Sequence, residues 1–261
     1  MKKTLNILTV GDVVAEPGME FIQKKLWSIR DKYKADLVIL NGENCAKYNG
    51  LTCDDADILY ASGADIITSG NHIWHKREIF DYLDDKECIL RPANYPSDCP
   101  GHGYTIYSID GQRVLCINVL GVVFMESLAS PFEVTENILK REKGNYDICV
   151  VDIHAEATSE KAAFARYFDG RIDIVFGTHT HVQTADLCLL PNGTAFITDI
   201  GMTGVIESVL GVDPSCSIER FLKKMPVRFE PAKGACRLTG AFFAYDTSLK
   251  KITDIKLVSE T

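Results

Sequence analysis

The amino-acid order predicts an α/β fold of two packed, mixed β-sheets flanked by helices, in four layers ordered helix, sheet, sheet, helix. Three observations lead there. Short apolar runs alternate with stretches of helical period near the N-terminus, hairpin signals then interrupt them, and both patterns return in the second half. The third is an absence of breaks. No repeat, low-complexity tract or linker divides the sequence, so residues 1–261 are expected to form a single domain.

In chain order, Leu5 to Val10 reads as a buried strand that stops at Gly11-Asp12. Pro17 opens an amphipathic helix with Met19, Phe21, Ile22, Leu26 and Ile29 inward and Lys24, Lys25 and Arg30 outward. Leu37 to Leu40 is a second strand, ending at Asn41-Gly42-Glu43-Asn44, and Thr52 to Ala61 reads as helix. Asp65 to Thr68 is a third strand, ending at Gly70-Asn71-His72, followed by a helix from about His75 to Leu83. Tyr104 to Ile109 and Arg113 to Val119, joined by Asp110-Gly111, form a hairpin. A helix over 131–143 precedes a strand from Asp147 that ends at His154, and Thr158 to Phe168 is helical. Ile172 to Phe176 leads into Gly177-Thr178-His179-Thr180-His181, and a second hairpin spans Ala185 to Thr198. A Gly-punctuated segment to Asp213, a helix to about Lys224 and two strands, Ala241 to Tyr245 and Ile252 to Val258, complete the pattern.

Composition narrows the class. With 46% hydrophobic and 25% charged residues, the chain matches an ordinary globular protein, and no apolar run approaches membrane-spanning length. The segment after Met1-Lys2-Lys3 is short, carries Asn6 and lacks a small-residue cleavage site, so a first strand is expected rather than a signal peptide. Nine scattered cysteines without a C-x-x-C point to a reducing, cytoplasmic setting and away from disulfides or thiolate zinc. A net charge of −8 disfavours stable binding to a nucleic-acid backbone, but a metal centre could still attract a small phosphate.

The chemistry is concentrated at strand ends. On an extended backbone His179 and His181 point to one side, and imidazoles that converge suggest a metal. Five expected strands end in candidate ligands: Asp12; Glu43 with Asn44; Asn71 with His72; His154; and His179 with His181. The carboxyl ends of sheet strands are where ligands bind in open α/β folds. Singly, Asp12 could cap a helix, Asn71 could serve a turn and His154 could be a core histidine. Together they describe a nitrogen and oxygen site, suited to Fe or Mn and open to Zn or Mg. The candidates outnumber what one ion takes and fit two ions roughly 3.5–4 Å apart.

The blocks Gly11-Asp12-Val13-Val14, Asn41-Gly42-Glu43-Asn44, Gly70-Asn71-His72, Asp152 to Thr158 and Gly177 to Thr184 resemble the calcineurin-like metallophosphoesterase superfamily. They are more similar still to its YmdB-type branch of bacterial cyclic-nucleotide phosphodiesterases, over Leu5 to about Phe229. The wider superfamily opens with Asp-x-His, whereas Val14 stands at that histidine here, and Glu43 replaces the usual bridging Asp. Both departures agree with the YmdB-type pattern. The resemblance implies a metallophosphoesterase sandwich with one ion on Asp12, Glu43, Asn44 and His181, the other on Glu43, Asn71, His154 and His179. It further implies hydrolysis of a 2′,3′-cyclic nucleotide at its 2′ side, and it is consistent with a homo-oligomer.

Two divalent ions with Asp12, Glu43 and a bridging hydroxide leave a centre of about +1, which attracts a phosphodiester. Metal-bound water deprotonates near neutral pH and attacks in line, after which the leaving alkoxide needs a proton. His72, spare in the ligand count, is the expected general acid, with support of Asn71 or of the phosphate as its competing role. A phosphomonoesterase or nuclease on the same centre, or a metal-holding regulatory protein, stands as the alternative. His75 lines the pocket or a helix surface; Glu156 and Thr158 orient His154, or Thr158 caps its helix. Asp199 and Gly201 to Gly204 border the site or form a turn, and His102 reads as a loop residue. Phe124, Tyr48 and Trp74 offer faces for base stacking, although an aromatic side chain more often joins a core.

Overall fold

The computed structural model describes residues 3–47 and 49–261. Its first half runs β1 (Thr4–Val10), β2 (Asp12–Val13), α1 (Ala15–Tyr33), β3 (Leu37–Asn41), α2 (Cys53–Ala61), β4 (Ile66–Thr68), α3 (Ile79–Asp85), β5 (Ile89–Leu90), β6 (Tyr104–Ile109) and β7 (Gln112–Leu120). The second continues α4 (Pro131–Arg141), β8 (Ile148–His154), α5 (Thr158–Tyr167), β9 (Ile174–Thr178), β10 (Cys188–Leu189), β11 (Ala195–Ile197), β12 (Met202–Val205), α6 (Pro214–Lys223), β13 (Cys236–Asp246) and β14 (Lys251–Glu260).

These strands form two mixed sheets. The first, of eight strands, sets β13 antiparallel to β1, then β3, β4 and β5 parallel to β1. The second, of six, has the order β10-β11-β9-β8-β7-β6, with β7, β8, β9 and β11 parallel and a hairpin partner at each edge. Strand β13 carries β14 along one edge; along the other it carries β1 and β12 end to end, so Gly240 pairs with Val10 and Leu238 with Thr203.

Strand parity explains the four layers. Leu5, Ile7, Leu37 and Ile39 face Ile148, Val150, Ile174 and Phe176 across a core between the sheets. Their neighbours Leu8, Val10, Val38 and Leu40 turn outward onto Met19, Ile22, Leu26 and Ile29 of α1 and Leu59 of α2. On the far side Cys149, Val151, Ile153 and Val175 pack against Ile138 and Leu139 of α4 and Phe164 and Ala165 of α5. Burial on both faces is why these strands read as unbroken apolar runs.

Local signals set most boundaries. Thr52 caps α2 through a capping box with Asp55. Asp110 and Gly111 both take positive φ, the type I′ geometry that a two-residue hairpin needs. Three expectations shift. Helix α1 begins at Ala15, ahead of Pro17; the expected His75–Leu83 helix divides into a single 3₁₀ turn at Ile73–His75 and α3; and the Gly-punctuated segment contains β12. Strands β5 and β12 are too short for a periodic signal and exist through pairing, β12 with Asp12 and Val13. The nine cysteines are free, and no described helix is long and apolar enough to cross a membrane. Helix α6 joins none of the three cores: among its residues only Ser217 is buried.

Phe176 is fully enclosed between the sheets. Phe176→Ala is expected to lower unfolding stability by about 3–5 kcal/mol, read as a reduced urea midpoint with unchanged slope.

Candidate metal centre

Parallel strands deliver their carboxyl ends to one edge, and every expected ligand arrives there. Asp12 lies on β2, Glu43 and Asn44 follow β3, Asn71 and His72 follow β4, His154 ends β8, and His179 and His181 follow β9. The first sheet supplies the carboxylates and amides, the second the imidazoles of His154, His179 and His181, so the centre lies across the gap between them.

The side chains divide into two clusters that share Glu43. In one, the Asn44 amide nitrogen is 3.3 Å from Asp12 Oδ1, 3.2 Å from Glu43 Oε1 and 3.2 Å from His181 Nε2. In the other, His154 Nε2 is 3.1 Å from Glu43 Oε1, 3.2 Å from Asn71 Oδ1 and 3.0 Å from His179 Nδ1. Ligands held about 2.0–2.2 Å from one ion stand roughly 3.0–3.5 Å from one another, so both clusters fit a cation. Glu43, His154 and His179 each bring one ligand atom within 4.8 Å of the other two. Asn44 adds a chemical argument, because its nitrogen lies beside two carboxylate oxygens and the His181 ring nitrogen while its oxygen is 3.0 Å from His72 Nδ1. Amide ends are distinguished only by their partners, and a half-turn presents the oxygen to the cluster as a ligand and the nitrogen to His72.

Charge supports the same reading. Burial works against the Glu43 carboxylate, yet His154 and then His72 hold it well below the ordinary range. Burial likewise opposes the Asp12 carboxylate, and the hydrogen bond and charge of His181 more than offset it. Burial disfavours charge on His154 too, but Glu43 raises that imidazole to about 9. Burial and then the His154 charge push His179 down to about 4. Two enclosed carboxylates thus stay ionised by drawing on positive charge, which divalent cations supply in greater measure.

Comparison with known proteins gives the chain a family. Residues 8–258 match the family model described as YmdB-like protein. The chain belongs to the YmdB-like family. A 2′,3′-cyclic-nucleotide 2′-phosphodiesterase of Bacillus subtilis (strain 168) is 43% identical over 97% of this chain and 96% of its own length. Among solved structures, a hypothetical protein from Thermus thermophilus superposes with a TM-score of 0.92 at 39% identity, covering 98% of this chain and 100% of its own. A novel phosphatase from Mycoplasma pneumoniae gives 0.93 at 34% identity, covering 99% and 94%. The match passes Phe229, where the motif resemblance is expected to fade, and takes in β13 and most of β14.

Several expectations for this YmdB-like site are corrected. His179 and His181 do not project from an extended strand: β9 stops at Thr178, and their φ angles are 100° and 62°. The loop is left-handed at both residues, at a cost of roughly 1–3 kcal/mol each, and the two rings enter separate clusters. Glu156 orients His179, at 3.0 Å from its Nε2, rather than His154. His154 is instead held by Thr178 Oγ1, 2.9 Å from its Nδ1. Thr158 is the first residue of α5 and makes no cap; Ala157 precedes it.

His75 lies on the surface with its ring 4.7 Å from that of His72. His102 is an exposed loop residue whose carbonyl accepts from the Arg91 amide. Trp74 packs edge-on against Phe80 and Tyr95 beside the core, whereas Phe124 is 90% exposed at a φ of 62°. Tyr48 lies outside the described residues.

Behind the candidate ligands lies a buried network that the sequence motifs do not announce. Asp152 accepts from Thr68 at 2.5 Å and from Thr178 at 2.7 Å, and the Asn41 amide nitrogen lies 3.3 Å from Asp152 and 3.4 Å from His154. Asn41 and Asp152 stand inside the motif blocks without a role of their own, and their inward direction on β3 and β8 is the signal that could have found them.

Gly70 is required by close approach, since a Cβ there would run into the His154 ring and the Glu43 carboxylate. Gly70→Ala is expected to weaken Mn²⁺ affinity about 10–100-fold with unchanged far-UV circular dichroism, measured by titration calorimetry.

Proposed function

We propose that this YmdB-like protein is a metal-dependent phosphodiesterase that hydrolyses 2′,3′-cyclic nucleotides at the 2′ ester. The observation carrying the proposal is the pair of ligand clusters sharing Glu43. Asp12, Asn44 and His181 would hold one ion with Glu43, and Asn71, His154 and His179 the other. The activity for which the Bacillus subtilis relative is named supports the substrate class. When bound, such a pair of ions brings water towards deprotonation near neutral pH and offsets the charge of the phosphodiester. Fe or Mn suits the carboxylate, amide and imidazole set, with Zn or Mg as alternatives.

The chain's own residues supply the remaining steps. His72 Nδ1 is taken up by Asn44 at 3.0 Å and Glu43 at 3.2 Å, which fixes the ring against the shared ligand. With Asn44 turned so that its amide nitrogen donates to Nδ1, the ring proton sits on Nε2, 3.4 Å from Asn49, and passes to the leaving oxygen as the phosphorus–oxygen bond breaks. The His179 ring is steadied by Glu156 and that of His154 by Thr178, so neither turns when a substrate enters. Nine free cysteines support a reducing cytoplasm as the setting, and the shared core between the sheets supports a single domain. The exposed Ile218, Phe221 and Leu222 of α6 offer a contact for a homo-oligomer.

Metal-loaded protein is expected to hydrolyse 2′,3′-cyclic AMP at least tenfold faster, as kcat/KM, than p-nitrophenyl phosphate; the reverse order would make it a phosphomonoesterase. Chelation should abolish the activity and added Mn²⁺ restore it. His72→Ala is expected to keep both ions by elemental analysis and lose about 10²–10⁴ in kcat. Loss of metal in that variant would make His72 a ligand instead.

A further inference from the structure

Behind the histidine loop lies a charged pair that none of the preceding chemistry uses. Lys161, on α5, and Asp199, after β11, have fully buried side chains, and Lys161 Nζ is 2.8 Å from Asp199 Oδ2. Lysine is almost never enclosed in this way unless paired. The route inward is specific. A Cβ on Gly177 would come within 2.7 Å of the Lys161 Cδ and strike the Thr198 carbonyl, so the glycine in β9 is what lets the lysine stem pass.

The pair holds the backbone on both sides of His179. Lys161 Nζ donates to the Thr178 carbonyl at 2.7 Å, and the Thr180 amide donates to Asp199 Oδ2 at 3.0 Å. Asp199 also ties down the far end of the loop: its carbonyl accepts from the Thr184 amide and its amide donates to Thr184 Oγ1, both at 3.0 Å. Its Oδ1 accepts from the Gly201 amide at 2.9 Å. Between these anchors lie the two residues with positive φ, His179 and His181. Left-handed backbone at a non-glycine residue persists only where its surroundings enforce it.

We propose that Lys161 and Asp199 are positioning residues for the metal centre. Their ion pair fixes the Thr178 carbonyl and Thr180 amide, which forces the left-handed turn at His179 and places His179 and His181 towards different ions. Neither residue touches a ligand side chain; both act through the backbone. The inference rests on the metal-centre reading of the site but not on its substrate.

The test compares Lys161→Met/Asp199→Leu with the wild type, since replacing both partners leaves no unpaired buried charge. Metal-free protein is titrated with Mn²⁺ and followed by electron paramagnetic resonance, alongside imidazole ¹⁵N shifts. The double variant is expected to melt cooperatively, to bind Mn²⁺ at least tenfold more weakly, and to shift His179 and His181 resonances while those of His102 stay in place. A purely structural pair would give wild-type affinity once folding is preserved, and that result overturns the proposal. If the double variant does not fold, Asp199→Asn is read in the same assays. It keeps the shape and loses the charge, and unchanged Mn²⁺ affinity with unmoved histidine shifts would again overturn it. Wild-type protein that bound no Mn²⁺ would refute the metal reading itself, while the histidine shifts of the variants would still report the loop.

Discussion

The site depends on keeping one carboxylate charged where water does not reach. Glu43 is 1% exposed, and His72, His154 and Asn44 all lie within about a hydrogen bond of it. A buried anion is tolerated only with compensating charge and donors on every side. Its surroundings therefore cannot be chosen independently. Gly70 leaves room for the carboxylate, the His72 amide donates to it at 3.0 Å, and each ligand cluster takes it as a common member. The His-x-His pair is one wall of this arrangement, with Glu43 at its middle.

The sandwich is suited to delivering such a group. Its inner layer is apolar over most of its depth, with Ile7, Ile39, Val150 and Phe176 meeting across it, and becomes polar only at the carboxyl edge. There Asn41, Thr68, Asp152 and Thr178 bond across the two sheets, each with negligible exposure. This layer is an intermediary between core and ligands. It registers one sheet against the other with directional bonds, and Thr178 passes that registration to the ring of His154.

Much of this was legible in the sequence because strand ends are marked by composition. The candidate ligands Asp12, Glu43, His154 and His179 each follow an apolar run, and the runs were readable because burial on both faces removes polar interruptions. What escaped depends on non-local contacts. Strand β12 has no periodicity of its own and is a strand only because Asp12 and Val13 pair with it. The left-handed turns at His179 and His181 carry no glycine to announce them, so the extended reading was natural and mistaken. Lys161 carries no signal of burial, because nothing nearby in sequence shows that Gly177 opens a passage for it.

The place of β13 bears on how such a molecule is made. Its residues 236–246 are translated after every candidate ligand, yet they form the edge on which both β1 and β12 lie, and β12 in turn pairs with the strand bearing Asp12. A nascent chain translated only through β12 has already displayed every candidate ligand without the scaffold that aligns the first of them. Pairings so distant in sequence form slowly. Synthesis thus presents the candidate ligands before the strand whose pairing with β12 aligns Asp12.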